Sequence, residues 1–529
     1  MYENHSVIFA ALLSVATACG HPPASPGGRW TGDAFLASGT DRLEIVVDST
    51  GAIAAVTLRS LGLSDAAATR VGSRGDSLAF AAALEGDTLR LLGAVRDGRW
   101  RGQLRRGDDT ARFDLVRLHR LTEGEWKTLT GSYRADDGRL LGVAPFSEFG
   151  PHPMVYEYAT GRIAPLYPAT PTRFLVGQGL LSPLHPADTL DFSLGAGGKV
   201  VGLRLSKRGQ PIVEARRLAT HDEEVTFAND SVTLAGTLTL PPGDPPHPAL
   251  VLVHGSNALT RDVFGPWTRF FTAHGFAVLA YDKRGTGAST GDWTRADFPT
   301  LAGDVMAGVR FLASRSEIRT DRIGLWGASQ AGWIMPIVAA RAPAEIAFIV
   351  VHAGSGTTVR EQGILNLRNE LRAGGLPESG VRLGLRYRAL DDRVTASGTG
   401  WNELHRFYQR HQAENPWLWP PAAEDSWFRP YYRMLMSFDP TGYWRQVRCP
   451  ALLFFGELDA NVPPVESWPP IERALRAGGN RQVTQVVLPR ANHLFLEAET
   501  GAQHEYPRLN RFVPGYFDRM AAWLAARTH

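Results

Sequence analysis

The chain has 529 residues, of which 44% are hydrophobic and 21% charged. That is an ordinary globular balance, at a length that calls for roughly three or four domains and not a single core. With 56 basic against 53 acidic residues the formal net charge is +3, which gives no reason to expect nucleic acid or an acidic membrane as the main partner; with only two cysteines, Cys19 and Cys449, a disulfide framework and a cysteine-rich zinc site are excluded.

Residues 1–27 read as a leader and tether. Val7 to Ala18, "VIFAALLSVATA", is an apolar run too short to span a bilayer comfortably; it ends in small residues before Cys19, and "GHPPASPGG" follows as a flexible linker. The stretch resembles a bacterial lipoprotein signal, which implies export and a lipid on Cys19 that anchors the protein to the cell envelope. "MYENHS" lacks Lys and Arg, and Ala16 stands where leucine is usual. A cleaved secretory signal, with a periplasmic or secreted product, is the alternative.

From Gly28 to Leu121 short runs of period two, such as "RLEIVVDSTGAIAAVTLRS", alternate with Gly/Asp turns. They predict an antiparallel β-domain, barrel or sandwich. A second β-rich domain, 122–220, contains hairpin-like stretches such as "MVYEYATGRIAPLYP", with no convincing fixed-period repeat between the two. From His221 the texture changes. After a hairpin with an Asn-Asp turn, the near-continuous apolar strands "ALVLVHG", "FAVLAYD", "RIGLWG", "AFIVVHAG", "ALLFFGELD" and "QVTQVVLP" alternate with helical segments. This predicts a doubly wound, mostly parallel α/β domain over 221–529. Cys449 opens one of these runs and reads as a small buried hydrophobe. The connection Thr357–Val447, about ninety residues, far exceeds the usual few. It has helical stretches and carries Trp401, Trp417, Trp419, Trp427, Tyr431, Tyr432 and Trp444. It reads as a helical cap whose aromatics either line an apolar substrate pocket or form the cap's own core.

Two serines compete as nucleophile. Ser329 in "RIGLWGASQAGW" follows a short apolar strand, is flanked by Gly327, Ala328, Ala331 and Gly332, and precedes a helix. That is the strand–turn–helix context of a nucleophile elbow, with Ala331 in place of the last glycine. Ser289 in "GASTG" fits the formal pattern better but lies in a polar glycine loop, "KRGTGA", with no helix directly after it. The glycines there stand too far from the strand for a dinucleotide fingerprint, and no phosphate-loop motif occurs.

A serine hydroxyl needs a base, and the base an orienting acid. Asp459 in "FFGELDANVP" and His493 in "VVLPRANHLF" each lie just past an apolar strand, and Ser329, Asp459, His493 follow in the order of α/β-hydrolases. Glu457 competes as acid but stands two residues nearer its strand. His254 and His352 end strands and read as structural; His405 and His411 lie in the cap. Oxyanion donors fall to the Gln330 amide and, from the loop "HGSN", to that of Ser256, with Asn257 the alternative.

The motifs "HGSN", "YDKRGTGAST", "GASQAG", "GELDANVP" and "ANHLF", in that order, resemble those of the α/β-hydrolase superfamily. Within it the chain is most similar to bacterial esterases and the dienelactone-hydrolase and serine-peptidase-like group. The resemblance covers about 221–529 and implies an eight-stranded core and a serine acyl-enzyme mechanism. The resulting reading is a serine hydrolase of carboxylic esters using Ser329, His493 and Asp459, with a small-molecule ester or acyl substrate and no metal or organic cofactor. Peptidase, thioesterase and acyltransferase activities, and a catalytically silent surface binding protein, are the alternatives; oligomeric state is not legible.

Overall fold

The computed structural model describes residues 27–527 apart from 38, 59–60, 62, 75–76, 85–86, 97, 148–152 and 181–187. The leader and Cys19 lie outside the described residues.

Eight antiparallel strands, from Gly28–Leu36 to Asp109–Leu118, close on themselves. The first pairs with the last, Arg29 opposite Leu118 through Phe35 opposite Arg112. Of the two forms the alternation allowed, the chain adopts the barrel. Its interior is filled by inward-facing residues such as Leu43, Ile45, Val56 and Leu91. Trp100 at its centre meets Trp30, Phe80 and Phe113 edge-on at ring-centroid distances of 5.7, 5.8 and 5.7 Å.

A helix, Glu123–Leu129, opened by a capping box between Thr122 and Glu125, leads into a second closed barrel of eight strands running from Gly131–Ala135 to Val213–Arg217. The two barrels share strand number and closure without a readable repeat, because closure depends on strand tilt and register stagger, which unlike residues can supply. Strands Leu140–Pro145, Pro153–Glu157 and Arg162–Pro168 are buried along nearly their whole length. Leu141, Val143, Val155 and Ala164 face the barrel interior, whereas Leu140, Ala144, Met154, Tyr156 and Ile163 join the core of the following α/β unit. Successive side chains alternate faces, so a strand buried on both reads as one apolar run.

That unit is an eight-stranded sheet. Its strands are β1 (His221–Asn229), β2 (Val232–Leu240), β3 (His247–Val253), β4 (Ala277–Tyr281), β5 (Ile318–Ala328), β6 (Phe348–His352), β7 (Ala451–Gly456) and β8 (Val483–Leu488), in the order β1-β2-β4-β3-β5-β6-β7-β8. The pairs β1–β2 and β2–β4 are antiparallel and all later neighbours parallel. β3, β4, β6 and β7 are buried throughout, as parallel strands covered on both faces must be. The helices, in chain order, are α1 (Gly265–Ala273), α2 (Phe298–Ala313), α3 (Ala331–Arg341), α4 (Val359–Ala373), α5 (Glu378–Ser397), α6 (Trp401–His411), α7 (Phe428–Leu435), α8 (Thr441–Trp444), α9 (Pro464–Ala477) and α10 (Tyr516–Ala525). Among the described residues no helix is long and apolar enough to cross a membrane. β3 connects to β4 on one side while β5 connects to β6 on the other, so the chain reverses direction between β3 and β5. Open α/β sheets bind ligands in the crevice beyond the carboxyl ends of such a strand pair.

The segment between β6 and β7 is helical, α4 to α8. Its aromatics serve mainly its own packing. Tyr387, Leu390, Val394, Leu404 and Leu418 form a small core on which Trp401 and Trp417 pack, and Trp444 is buried in the sheet's core. Trp427 and Tyr431 both pack edge-on against Trp293, at 5.3 Å.

Candidate active site

Ser329 sits directly beyond β5 with φ +57°, a left-handed conformation rare outside glycine. The turn is held by its own amide donating to the His352 carbonyl at 2.8 Å and by its carbonyl accepting from the Gly332 amide at 2.8 Å. The small neighbours are required by space. A Cβ at Gly327 would stand 2.5 Å from the Ala331 methyl and 2.8 Å from the Val253 carbonyl oxygen, and one at Gly332 would stand 2.4 Å from the Gly354 Cα. Ala331, the departure from the glycine pattern, is completely buried, so its methyl is accommodated. Helix α3 starts immediately after, with its positive end at the serine.

His493 lies in the loop after β8 and Asp459 in the loop after β7. Asp459 Oδ2 is 2.8 Å from His493 Nδ1, and its Oδ1 accepts the Asn461 and Val462 amides at 2.9 and 2.8 Å. The carboxylate is almost wholly buried, and its loop bonds fix which oxygen faces the ring. Glu457, the competing acid, accepts the Arg490 amide at 2.9 Å at an exposed position. Ser329 and His493 line one cavity of about 480 Å³, together with Ser256, Asn257 and Asn461.

Gln330 is the residue before α3, and Ser256 and Asn257 belong to the loop after β3. Among the described residues the amides of Gln330, Ser256 and Asn257 have no protein acceptor. Both segments are tied to Lys283, which no motif marks because it lies in the glycine loop "KRGTGA". Its buried ammonium donates to the Gly255 carbonyl at 2.8 Å, the Asn257 carbonyl at 3.1 Å and Gln330 Oε1 at 3.0 Å. Burial pushes it down to about 7. The Gln330 side chain also donates to the Tyr431 hydroxyl at 3.2 Å, which links the elbow to α7.

The rival serine is structural. Ser289 Oγ donates to the Asp282 carbonyl at 2.7 Å and accepts the Ala235 amide at 2.9 Å. His254 is buried against the Tyr281 carbonyl at 2.6 Å, and burial, helped by Lys283, holds it down to about 3. His352 is enclosed between Trp326 and Tyr516, at 3.1 and 2.7 Å, with burial driving it well below the usual imidazole range. His405 and His411 lie in α6.

Of the two readings of the aromatics between β6 and β7, pocket wall or own core, the cavity lining fits the second. None of the seven named aromatics between β6 and β7 lines the cavity; its rings are Phe146, Phe264, Trp267, Trp326 and Tyr506. The inserted helices contribute Glu370 of α4 instead. Burial raises the Glu370 carboxyl, with Asp459 adding to the rise and the Gln503 amide, His504 and His493 opposing it. No sequence signal marks Glu370 or Phe146, because each reaches the cavity from an element remote from the motif-bearing strand ends.

Residues 220–494, just over half of the chain, match the family described as X-Pro dipeptidyl-peptidase (S15 family). The chain is 24% identical over 341 residues to Esterase EstD of Thermotoga maritima, covering 62% of this chain and 74% of that protein. It is 31% identical over 109 residues to an uncharacterized 31.7 kDa protein of Escherichia coli, spanning 21% of this chain and only 38% of that one. Thiohydrolase aneE of Aspergillus aculeatus is 35% identical over 115 residues, spanning 21% of this chain and 35% of that protein. Among solved structures, an esterase of Pyrococcus furiosus aligns with a TM-score of 0.38 at 19% identity, over 59% of this chain and 92% of that one.

Proposed function

The chain belongs to the X-Pro dipeptidyl-peptidase (S15) family of α/β-hydrolases, and from that premise we propose that it is a serine hydrolase that cleaves carboxylic esters through an acyl-enzyme. The observation that carries the reading is one cavity shared by Ser329, held at φ +57° on a strand-to-helix turn, and His493, whose Nδ1 lies 2.8 Å from the buried Asp459 carboxylate.

In this reading Ser329 Oγ attacks the ester carbonyl while His493 Nε2 takes its proton. Asp459 holds the other ring nitrogen protonated, so that Nε2 is the basic one. The Gln330 and Ser256 amides receive the oxyanion, each contributing about 2.7–4 kcal/mol of transition-state stabilisation. The imidazolium protonates the departing alkoxide, leaving an acyl group on Ser329, and water reverses the sequence to release the acid. The helices between β6 and β7 act as a cap on a 221–529 catalytic domain that follows two β-domains, 28–121 and 122–220. On sequence alone we also propose export and attachment through a lipid on Cys19, which a heavier N-terminal peptide would reveal by mass.

Ester chemistry is favoured by Esterase EstD, a relative aligned over 62% of this chain. A peptidase reading is favoured by the family's own description and by Glu370, a carboxylate on the cavity wall able to pair with a substrate ammonium. Turnover of p-nitrophenyl esters and of aminoacyl p-nitroanilides separates them. The ester reading expects faster ester hydrolysis, lost in Ser329→Ala; anilide turnover that exceeds ester turnover and falls in Glu370→Gln would replace it with the peptidase reading.

A further inference from the structure

The second barrel reaches the catalytic cavity. Its strand Leu140–Pro145 ends against the start of α1, and the next residue, Phe146, is only 1% exposed. The Phe146 ring meets Trp267 edge-on at 5.5 Å, and Trp267 lies 4.7 Å from Trp326, three residues ahead of Ser329. Phe264 meets the same Trp326 ring at 6.1 Å. These four rings line the cavity that Ser329 and His493 share, so one stretch of its apolar wall belongs to a domain outside the α/β unit.

The contact is tightly fitted. A Cβ on Gly265 would stand 2.1 Å from the Pro145 carbonyl oxygen and 2.8 Å from the Ala144 methyl. The Tyr158 hydroxyl donates to the Pro266 carbonyl at 2.7 Å, and Ser132 Oγ to the Arg269 carbonyl at 2.9 Å. Farther round, the Phe512 amide donates to the Gly161 carbonyl at 2.7 Å. Hydrogen bonds on two sides therefore fix where the barrel holds Phe146.

Two of these rings share a carrier with the Ser256 and Asn257 amides. Phe264 and Trp267 follow Ser256 and Asn257 in the β3–α1 connection and the start of α1, whereas the imidazole that must protonate the leaving group sits on the loop after β8. The acyl half of a substrate bound for attack thus faces the rings. A cavity of about 480 Å³ suits a small apolar ligand. Resting on the serine-esterase reading, we propose that the second barrel closes the acyl pocket, and that Phe146 sets which acyl groups enter, the substrates being esters of compact apolar acids, branched or ring-bearing.

The test uses the full chain and p-nitrophenyl esters from acetate through butyrate and phenylacetate to octanoate. Phe146→Ala should raise the octanoate-to-butyrate ratio of kcat/KM by about tenfold or more, the scale set by a few methylenes in an apolar pocket. Phe146→Trp should lower it. Gly265→Ala, which displaces the barrel end without lining the cavity, should move the ratio as Phe146→Ala does. Labelling of Ser329 by a small fluorophosphonate reports the catalytic machinery independently. Should Phe146→Ala fold poorly, Phe146→Leu reads the same ratio with the core still filled. Unchanged ratios in folded, labelled variants would overturn the barrel's role and leave the esterase reading standing. Absence of both labelling and ester turnover in the unaltered chain would overturn both.

Discussion

Replacing Asp459 by Asn isolates the orienting role of this carboxylate. Asp459 Oδ1 accepts two backbone amides, at 2.9 and 2.8 Å, and Oδ2 faces His493 Nδ1 at 2.8 Å. In Asp459→Asn the amide oxygen keeps both loop bonds, which leaves the NH2 group facing the ring. Nδ1 must then accept, the ring proton moves to Nε2, and the nitrogen meant to deprotonate Ser329 carries a proton already. Loss of the correct tautomer costs about 10⁴ in kcat, on the order of 5 kcal/mol of transition-state free energy. The fold should be barely affected, within about 1 kcal/mol, because the loop bonds survive and a buried charge is removed. Steady-state kinetics on a p-nitrophenyl ester, paired with urea unfolding, measures both. Glu457→Gln serves as control and should retain activity. An Asp459→Asn enzyme within about tenfold of the unaltered kcat/KM, or a comparable loss in Glu457→Gln, would refute the assignment.

Three further outcomes are expected. Ser289→Ala should keep its fluorophosphonate label and lose stability by about 1–3 kcal/mol, since it leaves the buried Ala235 amide and Asp282 carbonyl unpaired; denaturant midpoints and labelling check both halves. Ser329→Gly and Ser329→Ala should both be inactive, yet the glycine variant should be the more stable by about 1 kcal/mol, because φ +57° strains alanine and not glycine. Lys283, held down to about 7 by burial, gives up its proton in the folded chain while the unfolded chain keeps one up to the ordinary lysine range. Stability therefore rises with pH between about 7 and 10, and unfolding midpoints across that window should lose this rise in Lys283→Met, which should also lower kcat more than it raises KM.

The strands of the sheet were legible because parallel strands buried on both faces leave unbroken apolar runs, as "ALVLVHG" and "ALLFFGELD" do. The candidate residues were legible because each follows such a run: Ser329 after β5, Asp459 after β7, His493 after β8. β5 itself begins at Ile318, ahead of the apolar stretch, because Ile318 pairs with His247 while the polar "RTD" that follows lies in a register shift before pairing resumes at Ile323. Barrel closure could not be read from alternation, which a sandwich satisfies equally. The aromatics of the inserted helices left two readings open for a related reason. Composition reveals that rings will be buried but not which surface buries them, and Trp401 and Trp417 are taken up by the insert's own packing. Phe146 and Lys283 act through contacts more than a hundred and some tens of residues away respectively, which no local pattern encodes.

Rapid mixing with p-nitrophenyl acetate, followed by peptide mapping of the quenched enzyme, tests the nucleophile most directly. The expected result is a burst approaching one p-nitrophenol per chain where deacylation is slow, with the acetyl group on the peptide that holds Ser329. An acetyl group on Ser289 or any other side chain, or an undiminished burst in Ser329→Ala, would contradict it.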